Sequence, residues 1–349
     1  MPKVPVVPAV VWKDLYAAAG RFYELKPWEY FNDTTLIGVR NPEDGQTGYG
    51  CILGALGQVL ALCLYRGAEG LDFHLRAQKG KMDFERGELL AIQNCLMAEF
   101  TSKKELQKED LAVIKELGLS FRGGHAWPAF SSYLPGHAPW FLAEAEARFL
   151  TLALDCACDA VSQTLAGRLH LDSQPGKCLI YTPKPGADGG RPAMETCWEA
   201  LPKYIPAPPA AYMPDAAAIA KIVAARFPDN GPWEADVFDS GLVIGDKDRP
   251  YIPKMIMVAH QASGFMFHAS VVEGDQGEMQ ALGDAIVGAM REHSFATAII
   301  YVKNEETVAA LAPLGKALGL VFERKKRLQS IISARKALAA ATRGRGFGA

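Results

Sequence analysis

The sequence predicts an α+β fold of two related domains, each made of a helix, a small antiparallel meander and packed helices. Three observations lead to this prediction. The composition, 49% hydrophobic and 22% charged over 349 residues, is that of a globular chain long enough for two ordinary domains. Segments with a helical period alternate with short strand-like runs. A proline-rich stretch divides the chain near its middle.

The first helix is predicted over residues 11–25. Pro27 ends the pattern, because proline cannot continue a helix. Apolar side chains recur at the three- and four-residue steps of an amphipathic helix, at Leu15, Ala18, Ala19, Phe22 and Leu25.

Three strand-like runs follow this helix, at residues 36–39, 49–56 and 58–65. The segment 41–45 and Gly57 separate the runs, and both carry turn-forming residues. The runs therefore predict a small antiparallel meander.

Helical patterns resume after the meander, at residues 71–78, 85–100, 108–117 and 142–165. Residues 121–141 hold three prolines and have neither a helical nor a strand period. We predict an irregular loop over this segment.

A change of composition marks the domain boundary. Residues 182–192 are rich in proline and glycine, and four of the nine residues in 206–214 are proline, which sustains neither helix nor sheet. We predict a linker region over 182–214 that separates two domains, residues 1–205 and 206–349. The first domain includes the beginning of the linker region.

The second domain is predicted to begin like the first and to end differently. A helical run over 215–227 leads to strand-like runs within 255–272, which match those within 53–65. A mixed sheet covered by helices would bury the remaining elements. These form a βαβα tail, with parts at residues 297–302, 305–318, 320–323 and 328–340.

The two domain starts share a short motif. Pro27-Trp28-Glu29 recurs as Pro232-Trp233-Glu234, and each triplet is followed by an acidic residue, Asp33 or Asp239, and by an apolar-Ile-Gly step. The agreement in order and spacing predicts an internal duplication. The alternative is two unrelated α+β units with similar starts.

Several segments resemble a widespread group of bacterial proteins of unknown function. In the first domain they are PWEYFNDTTLIGV (27–39), GYGCILGALG (48–57), YRGAEGL (65–71) and LGLSFRGGHAWPAFSSYLPGHAPWFLAEAEARFL (117–150). In that group such a domain is joined to a second uncharacterised domain, which ends like ALAPLGKALGLVF (310–322). The resemblance implies the two-domain division and a bacterial cytosolic origin. It implies no activity and no catalytic residues.

The loop over 121–141 is the best candidate for a binding surface, because binding residues are often on loops and this one is rich in aromatic and basic side chains. An arginine beside aromatic faces can hold a carboxylate or phosphate through two hydrogen bonds while a ring stacks on the ligand. The candidate ligand-binding residues are Arg122, His125, Trp127, Tyr133, His137 and Trp140.

This loop predicts a binding or regulatory module that recognises a small ligand, a peptide or a protein partner. The alternative interpretation is structural. The aromatic side chains would then pack as a satellite core, and Arg122 would pair with a local acid such as Glu144.

The C-terminus carries a strong charge asymmetry. The formal net charge of −2 argues against a chain that binds nucleic acid over its whole surface, yet residues 323–349 hold eight basic residues and one acid. An Arg-Gly segment at 343–348 is typical of weak nucleic-acid binding. The alternative is a solvated helix face. The candidate nucleic-acid-binding residues are Arg324, Lys325, Lys326 and Arg327.

A further alternative is a hydrolase or nuclease with an inter-domain site. It predicts that Asp33, Asp239, His125 and His137 converge on one cleft. No catalytic motif is complete, and the twelve-residue spacing of the two histidines matches no zinc pattern, so we predict neither metal nor cofactor.

The sequence also predicts a cytoplasmic protein that does not enter the membrane. The most apolar stretch, residues 52–65, is shorter than the roughly 18 to 20 residues of a membrane span. We find no signal peptide. The odd number of cysteines, seven, is expected of reduced thiols, and Cys51 and Cys63 would face each other on neighbouring strands as buried thiols.

Overall fold

The chain forms two compact units in a computed structural model that describes residues 2–80, 92–184, 193–245, 248–273 and 277–343. The first unit comprises Met1–Pro206 together with Gly245–Tyr251, and the second comprises Ala207–Ile244 and Ile252–Ala349. The short segment Gly245–Tyr251 therefore belongs to the first unit, although the division at residue 205 assigned it to the second domain.

The first unit contains seven strands and four helices among the described residues. Two short 3-10 helices, Pro27–Glu29 and Lys103–Glu105, follow α1 and β4. The elements in chain order are α1 (Ala9–Leu25), β1 (Leu36–Arg40), β2 (Thr47–Leu53), β3 (Leu60–Arg66), α2 (Gly67–Gln78), β4 (Cys95–Thr101), α3 (Lys108–Glu116), β5 (Trp127–Tyr133), α4 (Glu144–Leu165), β6 (Lys177–Lys184) and β7 (Ala193–Ala200).

These strands form one sheet in the order β5-β4-β3-β2-β1-β6-β7. All neighbours are antiparallel except β1 and β6, which are parallel. Strand β5 therefore lies at one edge, and α4 carries the chain from this edge to β6 near the other. The predicted meander is β1, β2 and β3.

Both faces of this sheet are covered. Helices α1 and α4 pack on one face, and four of the apolar positions that predicted α1 are buried there, Leu15, Ala18, Ala19 and Phe22. Helix α2 covers the other face above a cluster of buried free thiols. Cys51 and Cys63 are direct partners across β2 and β3, as predicted.

Two predicted segments differ from the structure. Residues 81–91 lie outside the described part, but the end of the predicted helix 85–100 forms β4, because the short apolar run 95–101 pairs with strands on both sides. The predicted linker 182–214 contains β7, which pairs along its whole length with β6. Residues 185–192 of that linker are outside the described ranges.

The elements of the second unit are α5 (Ala216–Ala225), β8 (Trp233–Asp239), β9 (Lys254–His260), β10 (Met266–Val272), α6 (Glu278–His293), β11 (Ile299–Val302), α7 (Glu305–Leu318), β12 (Val321–Arg324) and α8 (Gln329–Arg343). Its strands form a five-stranded sheet in the order β10-β9-β8-β11-β12. Strands β8, β9 and β10 are antiparallel neighbours, whereas β11 is parallel to both β8 and β12, which confirms the mixed sheet and the βαβα tail.

The two units begin with the same order of elements. Each has a helix followed by a three-stranded meander, and each has a later strand parallel to the first meander strand. Among the described residues, α6 alone separates the meander from that strand in the second unit, whereas α2, β4, α3, β5 and α4 lie between them in the first. The repeated triplets nevertheless occupy different places. Pro27–Glu29 is a 3-10 helix ahead of β1, whereas Trp233 and Glu234 begin β8 itself. The internal duplication stays a prediction that element order alone supports.

No helix within the described ranges combines the length and the apolar character that crossing a membrane requires.

Candidate functional site

The first unit contains a small cavity of about 230 Å³ where β4, β5 and the start of α3 meet. We call it the Glu99 pocket. It is smaller than the roughly 300 to 1,000 Å³ of pockets for drug-sized ligands, so it fits a group of side-chain size. Its lining consists of Glu99, Thr101, Glu105, Gln107, Asp110, Ala129, Phe130, Ser131, Pro139, Trp140 and Phe141.

The aromatic part of this lining is fixed to the edge of the sheet. The backbone N–H of Trp140 donates to the carbonyl of Ser132 at 3.0 Å, and the N–H of Ser132 donates back to Trp140 at 2.8 Å. The indole Nε1 of Trp140 donates to the carbonyl of Lys3 at 3.3 Å. The rings of Trp140 and Phe141 contact each other edge to face, 5.2 Å apart.

Two of the three pocket carboxylates cap local turns. Glu105 accepts hydrogen bonds from the Thr101 hydroxyl and from the N–H and hydroxyl of Ser102, and these bonds lower its pKa to about 2. Asp110 accepts the N–H of Gln107 at 3.0 Å at the start of α3, while burial raises its pKa. Both side chains are therefore partly committed to the fold.

The third carboxylate, that of Glu99, has no hydrogen-bond or ion-pair partner among the described residues. Glu99 lies on β4 between Ala61 and Ala129 of the neighbouring strands and is half-buried. Burial, followed by the nearby negative charge of Glu105, raises its pKa. Its charged form is thus poorly compensated within the chain.

A network of charged side chains lies behind the pocket wall. The Ser132 hydroxyl donates to Glu146 Oε1 at 2.6 Å, and Arg66 Nη1 donates to the same oxygen at 2.7 Å. The other carboxylate oxygen accepts the N–H of Ala143 at 2.9 Å, at the start of α4. Ser132 is fully buried, so each of its polar groups needs a partner within the protein.

Arg249 reaches Ser132 from the segment Gly245–Tyr251. Its Nη1 donates to the Ser132 hydroxyl at 3.2 Å, and its Nη2 donates to the Ser132 carbonyl. Burial and the nearby positive charge of Arg66 outweigh the attraction of Glu146 and lower the pKa of Arg249 to about 10.

The predicted site residues do not converge. Arg122 and His125 are exposed, and Arg122 has no ion pair with a described residue. Glu144, the acid predicted to pair with Arg122, pairs with Arg148 at 2.6 Å instead. His125 helps to lower the pKa of Glu105, but it does not line the pocket. The proposed grip of Arg122 on an anion beside aromatic rings is therefore not assembled by these residues.

The prediction of an irregular loop is wrong over Trp127–Tyr133, which forms β5. Every second residue of this strand is buried. The sequence does not show this alternation, because Pro128 and two serines interrupt the apolar pattern. Trp127 and Tyr133 lie at its two ends, with Trp127 against the ring of Phe121 at 5.6 Å. His137 Nδ1 donates to the carbonyl of Pro135 at 2.9 Å. Of the six predicted residues, Trp140 is the one that lines the pocket.

Sequence reasoning missed Glu99, Ser132, Glu146 and Arg249. Glu99 fell within the predicted helix 85–100, although a lone acid in an apolar strand is a usable signal once β4 is recognised. The other contacts join residues far apart in the sequence, 117 positions for Arg249 with Ser132 and 80 for Arg66 with Glu146, or come from a stretch that resembles an ordinary turn. No spacing rule connects them.

The basic residues of the second unit are partly engaged within it. Lys325 Nζ lies 3.7 Å from the fully buried carboxylate of Glu234 and 4.6 Å from the Tyr301 ring centroid. Arg324 lies 3.8 Å from Glu305. Lys326 and Arg327 are exposed. Residues 344–349, with most of the Arg-Gly segment, lie outside the described part.

The hydrolase alternative gains no metal centre from the described residues, where no group of three or more His, Cys, Asp and Glu side chains is placed to hold an ion. Asp239 pairs with Lys254 at 2.9 Å within the second unit, whereas Asp33, His125 and His137 belong to the first. Their convergence stays a prediction.

A larger groove of about 990 Å³ lies along α1, α4, β6 and β7 in the first unit. Two of its carboxylates have partners within the lining: Arg21 donates to Asp155 at 2.5 Å, and the buried hydroxyl of Tyr181 donates to Asp159 at 2.9 Å.

These features define a protein with two α+β domains and a small acidic and aromatic pocket in the first. Residues 12–181 match the domain of unknown function DUF7309, and residues 219–339 match the domain of unknown function DUF6930, so the chain carries these two domains in tandem. This confirms the resemblance to two-domain proteins of unknown function. Comparison with curated proteins and with solved structures gives no match.

Proposed function

We propose that the first unit is a binding module whose Glu99 pocket receives a compact cationic group, an ammonium or guanidinium. A small ligand, a peptide or a protein partner would carry this group. The observation that carries the proposal is the Glu99 carboxylate, which is half-buried and has no partner among the described residues, in a cavity that aromatic residues also line.

The charge of the pocket supports a cation. A charged ligand group would supply the hydrogen bonds that Glu99 lacks, and such charge-assisted bonds contribute roughly 1.5 to 3 kcal/mol. Aromatic rings such as that of Trp140 add about 0.5 to 2 kcal/mol when a cation lies over their face. Both contributions disappear for a neutral group of the same shape.

The proposed ligand group is a cation, whereas the sequence predicted an anion held by Arg122. The aromatic residues of the predicted loop still contribute to the site. Arg122 is exposed, so an anion held by Arg122 has no support from the described residues. Trp140 remains a site residue, with Phe141 beside it.

The test compares two ligands that differ in charge. Butylguanidinium and butylurea have similar planar head groups, but only the first is charged. We expect calorimetric titration to show butylguanidinium binding to the full chain and at least about tenfold weaker binding of butylurea. Glu99→Gln should weaken butylguanidinium binding to the same degree.

A matched control is Glu195→Gln, which changes an exposed carboxylate on β7 that pairs with Lys184. It should leave the Kd of butylguanidinium unchanged. Equal binding of the two ligands, or full retention of binding by Glu99→Gln, would contradict the proposal.

A second proposal is nucleic-acid contact through the end of β12 and the segment that follows it, supported by the exposure of Arg324, Lys326 and Arg327. Binding of a single-stranded oligonucleotide should weaken steeply with salt. The triple alanine variant should lose most of that binding and flatten the salt dependence; an unchanged slope would refute the contact.

We further propose that the protein acts in the cytoplasm, supported by the free thiols of Cys51, Cys63, Cys95, Cys158, Cys178 and Cys197. Thiol titration of the protein isolated under alkylating conditions should count seven reduced thiols. Disulfides formed in the cell would argue against this location.

A further inference from the structure

We infer that Arg249 is the positioning residue of the Glu99 pocket, holding the wall that carries Trp140. The inference rests on the proposed function for its effect on binding. Its structural basis is the segment Asp248–Tyr251, which we call the strap and which belongs to the first unit.

The strap holds the backbone next to the pocket lining. The N–H of Ala138 donates to the carbonyl of Pro250 at 3.0 Å, and Arg249 Nη2 lies 3.5 Å from the carbonyl of Ala138. Both backbone polar groups of Ala138 are therefore directed at the strap, immediately before Pro139 of the pocket lining.

Arg249 also shares an acceptor with Trp140. The carbonyl oxygen of Ser132 accepts hydrogen bonds from Arg249 Nη2 and from the N–H of Trp140. The same guanidinium donates to the Ser132 hydroxyl. The two terminal nitrogens of the Arg249 guanidinium thus hold Ser132, and Ser132 in turn binds the Trp140 backbone.

A separate connection fixes the indole. Trp140 Nε1 donates to the carbonyl of Lys3, and the N–H of Lys3 donates to the carbonyl of Asp248 at 3.1 Å. The backbone and the side chain of Trp140 are both linked to the strap, so its position depends on the strap being docked.

The docking geometry requires arginine. The two terminal nitrogens bind different acceptors of Ser132, an arrangement that a single ammonium cannot reproduce. The Arg249 Nε is buried and has no hydrogen bond to a described residue, which makes the docked state costly and sensitive to substitution. Arg249→Lys is therefore a mild variant that keeps the charge and loses the fork.

The strap lies in the chain between β8 and β9. It falls within the sequence range of the DUF6930 match but belongs to the first unit, where it holds the backbone next to the pocket lining.

The experiment is amide hydrogen exchange on the full chain, combined with titration of butylguanidinium. Arg249→Ala and Arg249→Lys should each accelerate exchange at Ala138, Ser132 and Trp140 by about tenfold or more, because each loses at least one hydrogen bond that holds this wall. Both variants should also raise the Kd of butylguanidinium by about fivefold or more. Arg122→Ala, an exposed residue, is the control and should change neither quantity.

Three results separate the inference from its rivals. Unchanged exchange at Ala138 and Trp140 in both variants would overturn it. A lowered melting temperature with an unchanged Kd would mean a merely structural role and would overturn it too. If the wild-type chain does not bind butylguanidinium, the proposed function fails, whereas faster local exchange in Arg249→Lys would still support Arg249 as the residue that fixes this wall.

Discussion

Arg66 and Glu146 form an ion pair of 2.7 Å that joins the end of β3 to the first turn of α4, with side-chain exposures of only 13% and 19%. Glu146 also accepts the hydroxyl of Ser132, which Arg249 contacts in turn. The negative charge of Glu146 therefore balances the positive charges of Arg66 and Arg249 in a region with little access to water.

Glu146→Gln should destabilise the first unit by about 2 to 3 kcal/mol, because it leaves two partly buried cations without their anion. Urea denaturation measures this loss. The control is Glu144→Gln, which removes an exposed pair with Arg148 on the same helix and should cost about 0.5 kcal/mol or less. Equal effects of the two substitutions would show that burial of the pair is unimportant.

Glu234 is the corresponding test in the second unit. Its carboxylate is fully buried and accepts the N–H groups of Gln329 and Ser330 at 3.1 and 2.8 Å, so it caps α8. Glu234→Ala should cost about 2 to 4 kcal/mol, since it leaves these donors and Lys325 without an acceptor. The exposed Glu306→Ala is the control; a loss below about 0.5 kcal/mol for Glu234→Ala would refute the cap.

Two glycines of α6 give a matched pair. A Cβ at Gly283 would overlap the buried ring of Tyr212, whereas a Cβ at Gly288 meets no atom within 4 Å. Gly283→Ala should destabilise the protein by about 1 to 3 kcal/mol through overpacking. Gly288→Ala should stabilise it by up to about 1 kcal/mol through helix propensity. Thermal unfolding of both variants measures the difference, and the same sign for both would contradict this packing.

The raised pKa of Glu99 makes stability depend on pH. Because the folded protein binds this proton more tightly than the unfolded chain, stability falls as pH rises from the ordinary carboxyl range through the raised value. Glu99→Gln removes this loss. The variant should therefore gain stability relative to wild type as pH rises above the ordinary glutamate pKa, measured by urea denaturation. A parallel pH dependence of the two proteins would exclude a burial cost at Glu99.

Much of the fold could be predicted from the sequence because its signals are local. The helical spacing of Leu15, Ala18 and Phe22 is a property of one segment, and it identified a helix whose predicted face is buried. The βαβα tail was predicted for the same reason, with Gly319 in the left-handed conformation at the end of α7.

The strands that form the pocket were missed because their signals are not local. The short, mostly apolar run 95–101 fits a helical period as well as a strand period. Its pairing with β3 and β5 is what makes it a strand. Pro128 weakened the pattern of β5, yet a proline is tolerated on an edge strand. The contact of Arg249 with Ser132 spans 117 residues, and no periodicity encodes it.

The most direct test of the Glu99 pocket is carbon NMR of the side-chain carboxyl groups during titration with butylguanidinium. We expect the Glu99 resonance to shift with saturation and the pKa of Glu99 to fall towards its ordinary range in the complex, because the cation favours the charged form. A Glu99 resonance that stays unmoved at saturating butylguanidinium, with its pKa still raised, would contradict cation binding in this pocket.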